Sequence, residues 1–119
     1  MLTVEIDKNA VGQVVCRPAG ELDLYTVCQF RQALADLPAG SRILIDLSDV
    51  SFVDAAGLGA IVGGIRRARD RGGDVAVACP KPSLSRLLHT IGLDRVVTIS
   101  GDLEQAMAAV TTTRLRDAV

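Results

Sequence analysis

Residues 42–59 read Arg42-Ile43-Leu44-Ile45-Asp46-Leu47-Ser48-Asp49-Val50-Ser51-Phe52-Val53-Asp54-Ala55-Ala56-Gly57-Leu58-Gly59. The stretch opens on a short, nearly continuous apolar run, Arg42 to Leu47, which fits a central strand covered on at least one face. The clearest helix of the chain follows, Gly57 to Arg71. In it Leu58, Ile61, Val62, Ile65 and Ala68 form one apolar stripe, and Arg66, Arg67, Arg69, Asp70 and Arg71 cover the remainder. Gly72-Gly73 ends it. A buried strand feeding an amphipathic helix is the building unit of an α/β fold.

Working outward, the same alternation continues. Val75 to Cys79 reads as a strand and Ser83 to Ile91 as a helix carrying Leu84, Leu87, Leu88 and Ile91, with Gly92 as its C′ residue. Arg95 to Ser100 predicts a short strand and Asp102 to about Thr111 a last helix, with residues 112–119 a polar tail expected to fray. Upstream, Leu2, Val4 and Ile6 alternate with Thr3, Glu5 and Asp7, the period of a strand with one wet face. A turn is expected at Asn9-Ala10-Val11-Gly12, then a second strand from Val14 that Pro18 should end. Two strands so close in sequence suggest an antiparallel hairpin. Tyr25 to Leu37 predicts the first helix, with Val27, Phe30, Leu34 and Leu37 at helical spacing. Asp23 is placed to cap it, and Pro38-Ala39-Gly40 to stop it. The element order is β-β-α-β-α-β-α-β-α. It predicts a single α/β domain over residues 1–119, a mixed sheet of about five strands (an opening antiparallel hairpin, then parallel strands) and about four helices.

Composition excludes several functions. The 119 residues are 49% hydrophobic and 23% charged, an ordinary globular mixture of single-domain length. A net charge of −1 leaves no basic footprint for nucleic acid, and 3% aromatics without tryptophan leave no base-stacking platform. No apolar run reaches the roughly 20 residues of a membrane span, and charges within the first seven residues argue against a signal peptide. Neither nucleic acid nor membrane is an expected partner. Cys16, Cys28 and Cys79 are too few and too scattered for a zinc site or a disulfide framework. They read as reduced thiols of a cytoplasmic protein; a redox switch would need two within disulfide reach. Eleven arginines against two lysines fit a GC-rich bacterial genome. The one imidazole, His89, lies in an apolar helix stretch, and no GxSxG elbow or P-loop occurs, so neither an enzyme nor a cofactor is expected.

The segment from Asp54 holds the functional signal. Asp54 can accept N–H bonds from the first turn of the helix it precedes and complement the helix dipole. Positions 55 and 56 would lie beside unpaired N–H groups, where an anion such as phosphate would be welcome. Gly57, Gly59, Gly63 and Gly64 fall in one helix, each at a cost of about 1 kcal/mol relative to alanine. Either close packing against the sheet or a bare surface for another protein would account for them.

Two motifs, Gly20-Glu21-Leu22-Asp23 and Asp46-Leu47-Ser48-x-Val50-x-Phe52-Val53-Asp54-x-x-Gly57-Leu58-Gly59, resemble those of the STAS domain family, and more narrowly of bacterial anti-sigma factor antagonists. The resemblance extends over nearly the whole chain. It implies a partner switch: such a protein binds an anti-sigma factor, usually a serine kinase with a histidine-kinase-like ATPase fold, and so frees a sigma factor for transcription. The kinase phosphorylates a Ser or Thr directly after the motif Asp, the phosphoprotein lets go, and a PP2C-type phosphatase resets it. In this chain the acceptor position is Ala55, which has no hydroxyl. Ser48 and Ser51 both precede Asp54 and do not match the position. Either the protein lacks the switch by nature, or a serine has been replaced here. The expected contact surface has Glu21, Leu22, Asp23 and Asp54 at its flanks and Ala55, Ala56, Gly57 and Leu58 at its centre, with simple helix capping the alternative role for both aspartates. The competing functions are a STAS scaffold or nucleotide-sensing module, and an antagonist under thiol control.

Overall fold

The computed structural model describes residues 1–8 and 12–118, with side chains as far as residue 110. Along the chain run β1 (Leu2–Lys8), β2 (Gln13–Leu22), α1 (Val27–Ala35), β3 (Arg42–Asp46), β4 (Val50–Val53), α2 (Ala55–Asp70), β5 (Asp74–Ala78), α3 (Pro82–Thr90), a 3-10 turn (Leu93–Arg95), β6 (Thr98–Ser100) and α4 (Leu103–Ala118). The expected turn at residues 9–12 has residues 9–11 outside those described. α4 continues to Ala118 instead of stopping near Thr111; the fraying expected of residues 112–119 concerns side chains outside those described.

Among the described residues the sheet has six strands in the order β1-β2-β3-β5-β6, with β4 paired to β2. β1 and β2 are antiparallel and every other pair is parallel, the mixed α/β architecture that the sequence predicts. The apolar run of β3 is explained by burial on both faces. Ile43 and Ile45 join Phe30, Ile61, Ile65 and Leu88 on the side of α1, α2 and α3, whereas Leu44 points to Ala106 and Val110 of α4. β5 repeats the device with Val75 and Val77 on the first side and Ala76 and Ala78 on the second, so the smaller side chains lie under α4. Each large apolar side chain so enclosed contributes about 1.5–3 kcal/mol.

Two expectations fail in β2 and β4. Pro18 does not end β2, which runs on to Leu22. The Gly20 N–H is donated to the Asp49 carbonyl on the β4 side, and the Glu21 N–H to the Met1 carbonyl on the β1 side. By that alternation residue 18 faces the β3/β4 side. There β3 pairs only as far as Cys16 and β4 begins at Gly20, so the missing proline N–H leaves no ladder bond unmade. β4 is the strand beyond the expected five: Gly20, Glu21 and Leu22 pair with Val50, Phe52 and Val53. Its four residues carry exposed Ser51 and Phe52, too short and too wet to show a strand pattern. The Lys81 ammonium donates to the Val50 carbonyl and pins its start.

α4 lies across β3, β5 and β6, and Val15 of β2 joins Ala106 and Val110 beneath it. On the same face of the sheet Arg17 joins Asp7 at 2.7 Å and Asp46 at 3.2 Å. The other Asp46 oxygen accepts from the Ser48 N–H and hydroxyl, so the Asp46-Leu47-Ser48 sequence is the turn that redirects the chain from β3 into β4. All three cysteines are free. Cys16 and Cys79 are buried, and burial pushes the Cys16 thiol up to about 12 and the Cys79 thiol up as well. Cys28 is exposed on α1.

Candidate functional site

Asp54 lies at the junction of β4 and α2, with extended backbone (φ −102°, ψ −173°), and caps the helix. One carboxylate oxygen accepts the Gly57 N–H at 2.9 Å. The other accepts the Leu24 N–H at 3.0 Å, thirty residues away in sequence. The Gly57 bond, seconded by the Leu24 bond, holds the Asp54 carboxyl below the usual carboxylate range against a smaller opposing effect of desolvation. α2 therefore starts at Ala55, two residues ahead of the expected Gly57, because the cap reaches the N–H of its third residue.

Asp23 does the corresponding work one step before α1. Its Oδ1 accepts the Tyr25 N–H at 2.9 Å and the Thr26 N–H at 3.1 Å. The Thr26 hydroxyl donates to the Glu21 carbonyl at 2.7 Å and accepts the Asp23 N–H at 3.0 Å. Asp23 thus closes the turn over residues 24–26, and the helix proper begins at Val27, whose N–H goes to the Asp23 carbonyl. The expected start at Tyr25 is corrected by two residues. Beyond the β2–β4 ladder the two motifs are tied by a further peptide: Leu24, next to Asp23, donates to Asp54.

β4 pairing and α2 packing finish the assembly. The Asp54 N–H reaches the Leu22 carbonyl at 3.3 Å. Gly57 lies so close to that carbonyl that a Cβ would stand 2.1 Å from its oxygen. At Gly64 a Cβ would meet Leu34 Cδ1 at 2.5 Å, whereas Gly59 and Gly63 face open space. Close packing accounts for the first pair of glycines and a bare helix surface describes the second.

Of the residues expected at the surface, Ala55 and Glu21 are exposed, and Asp23, Asp54, Ala56 and Leu58 are partly so. Leu22 and Gly57 are buried and present nothing to a partner. Their place is behind the face, where Leu22 anchors β4 and α2 together. Sequence reasoning missed three residues here. Tyr25 is 91% exposed, Leu24 66% and Phe52 54%. Tyr25 does not continue the Val27, Phe30, Leu34 stripe, and that break in phase was the available signal. Among the described residues no group of three His, Cys, Asp or Glu is arranged to hold a metal ion, and no helix is long and apolar enough to cross a membrane. His89 is exposed on α3, its Nδ1 against the Ser85 carbonyl at 2.7 Å.

Comparison with known proteins bears on the fold and the family. The family model for the STAS domain matches residues 2–106. The anti-sigma-B factor antagonist of Bacillus subtilis is 31% identical over 104 residues, covering 87% of this chain and 94% of that protein. That of Listeria monocytogenes is 30% identical over 100 residues, covering 82% and 88%. The crystal structure of an anti-sigma factor antagonist from Mycobacterium paratuberculosis superposes with a TM-score of 0.76 at 28% identity, covering 93% of this chain and 95% of that one. A family-model match over residues 2–106, most of the chain, places the protein in the STAS domain family.

Proposed function

We propose that this chain is an anti-sigma factor antagonist that docks an anti-sigma factor on the surface at the start of α2, and that it holds its partner without a phosphoryl release step at Ala55. The general role is supported by relatives named anti-sigma factor antagonists that match over most of their length. The partner in this scheme is a serine kinase with an ATPase fold, and a PP2C-type phosphatase would belong to pathways whose antagonist carries the hydroxyl. The chain acts by binding, in the cytoplasm, and turns over no substrate.

One observation carries the second half of the proposal. Ala55 is the exposed first residue of α2, immediately after the ionised Asp54. A phosphate on that position would add about −1.5 to −2 charges beside a carboxylate and oblige a docked partner to desolvate them. A methyl group leaves the surface neutral. Of the neighbouring hydroxyls, Thr26 is committed to the Glu21 carbonyl and Ser48 to Asp46. Ser51 is exposed on β4, four residues before Ala55.

The test uses the ATPase-type anti-sigma factors of the host genome, purified singly, with the chain and its Ala55→Ser variant. The native chain should bind one of them and stay bound when Mg-ATP is added. The variant should gain 80 Da and dissociate. Release of the native chain by ATP, or phosphate found on it by intact mass, refutes the second half; failure of every anti-sigma factor to bind refutes the first.

A further inference from the structure

The two segments that build the candidate face have an uncommon charge distribution. Residues 18–30 and 43–65 contain Glu21, Asp23, Asp46, Asp49 and Asp54 and not one lysine or arginine. The cations bracketing them, Arg17, Arg31, Arg42 and Arg66, lie outside. Asp46 is paired with Arg17, and Lys81 reaches the Val50 carbonyl at the start of β4, so the anionic character rests on Glu21, Asp23, Asp49 and Asp54. Among these acids Leu24, Tyr25 and Phe52 are the exposed large apolar residues, and three separate ties bring them to one end of the molecule. Phe52 pairs with Glu21 across the β2–β4 ladder, so the two share a face of the sheet. Leu24 is bonded to Asp54. Tyr25 is held by Asp23. The side chains gain no burial from this arrangement, although their backbones are fixed. Aromatic groups on a fixed backbone lose little entropy on binding and serve as anchors, and fixed rim charges steer the encounter.

We infer that the occupant of this patch is a basic surface of the anti-sigma factor that opens an apolar cleft to Tyr25 and Phe52, with Glu21 and Asp54 at the rim. This rests on the proposed function and adds to it the chemistry of the partner's contact surface. The division of labour is specific: the apolar anchors set the lifetime of the complex, and the acids set how fast it forms.

The test measures association and dissociation rates between the chain and the anti-sigma factor that binds it, at low and moderate salt. Tyr25→Ala and Phe52→Ala should each speed dissociation about tenfold or more with little change in association. Glu21→Lys, at an exposed residue outside the capping bonds, should slow association about threefold to tenfold at low salt and leave dissociation within about twofold. Added salt should slow association of the native chain and less so that of the Glu21→Lys variant. Ile91→Ala, at an exposed apolar residue on the far end of α3, should change neither rate. Thermal midpoints verify that each variant folds. A complex indifferent to Tyr25 and Phe52, or one that forms equally fast at all salt concentrations, overturns this inference and leaves the proposed function standing. Loss of any complex overturns both. A dimer of the isolated chain that Tyr25→Ala disperses would assign the patch to a second copy and overturn the inference as well.

Discussion

Replacing Gly57 by alanine builds a methyl carbon 2.1 Å from the Leu22 carbonyl oxygen and 3.0 Å from Val53 Cγ1. The oxygen belongs to backbone that is itself paired, to the Asp54 N–H on one side and through β2 on the other, so it cannot swing aside. α2 must lift off the β2–β4 end instead. Overpacking of this kind costs about 1–3 kcal/mol, and contact with paired backbone puts Gly57→Ala at the upper end. The gain in helix propensity returns about 1 kcal/mol, leaving a net loss of about 2 kcal/mol. The same substitution at Gly59, two residues along the same helix, meets nothing within 4 Å and should stabilise by about 1 kcal/mol. With an m-value of about 2 kcal/mol per molar urea, the midpoint of equilibrium unfolding should fall about 1 M for Gly57→Ala and rise about 0.5 M for Gly59→Ala. Both variants make the same change in propensity and differ in what stands over the new carbon. Shifts of the same sign would refute the claim that Gly57 is a packing residue.

Two further outcomes follow from the geometry. The depressed Asp54 carboxyl contributes stability that is complete above its ordinary titration range and is lost as pH falls through its lower folded value. The stability difference between the native chain and Asp54→Asn should therefore stay level from pH 8 to 5 and shrink below about pH 4, as followed by urea melts across that range; a difference that changes near neutrality would contradict it. Cys28 should react with a maleimide within minutes in the folded protein, while Cys16 and Cys79 react only on unfolding, giving a single mass increment under native conditions and three in denaturant.

What could be read from the sequence follows from the range over which each signal acts. β3 was legible because burial on both faces leaves a continuous apolar run, and α2 because its stripe repeats over about three turns. Asp54 as a cap was legible because capping is settled within three residues. β4 was not, because a four-residue strand with two exposed positions has no period to detect. Pro18 was misread for a similar reason: its harmlessness depends on where β3 and β4 pair with β2. The bond from Leu24 to Asp54 spans thirty residues and exists only once that pairing forms. Tyr25 and Phe52 escaped notice because exposure is a property of the assembled fold, and apolar residues next to helix and strand signals are read as core.

β2 changes neighbours along its length, running beside β3 up to Cys16 and beside β4 from Gly20, with Pro18 at the fork. The sheet is thereby divided into a broad central block and a small outlying flap that shares only this one strand. Opening the flap breaks the short β2–β4 ladder and the Asp54–Leu24 tie and leaves the β2-β3-β5-β6 ladders whole. Amide exchange at Phe52 and Leu24 should report the opening of this pairing, while Leu22 and Val50, enclosed in the main core, tie the flap to the rest of the fold.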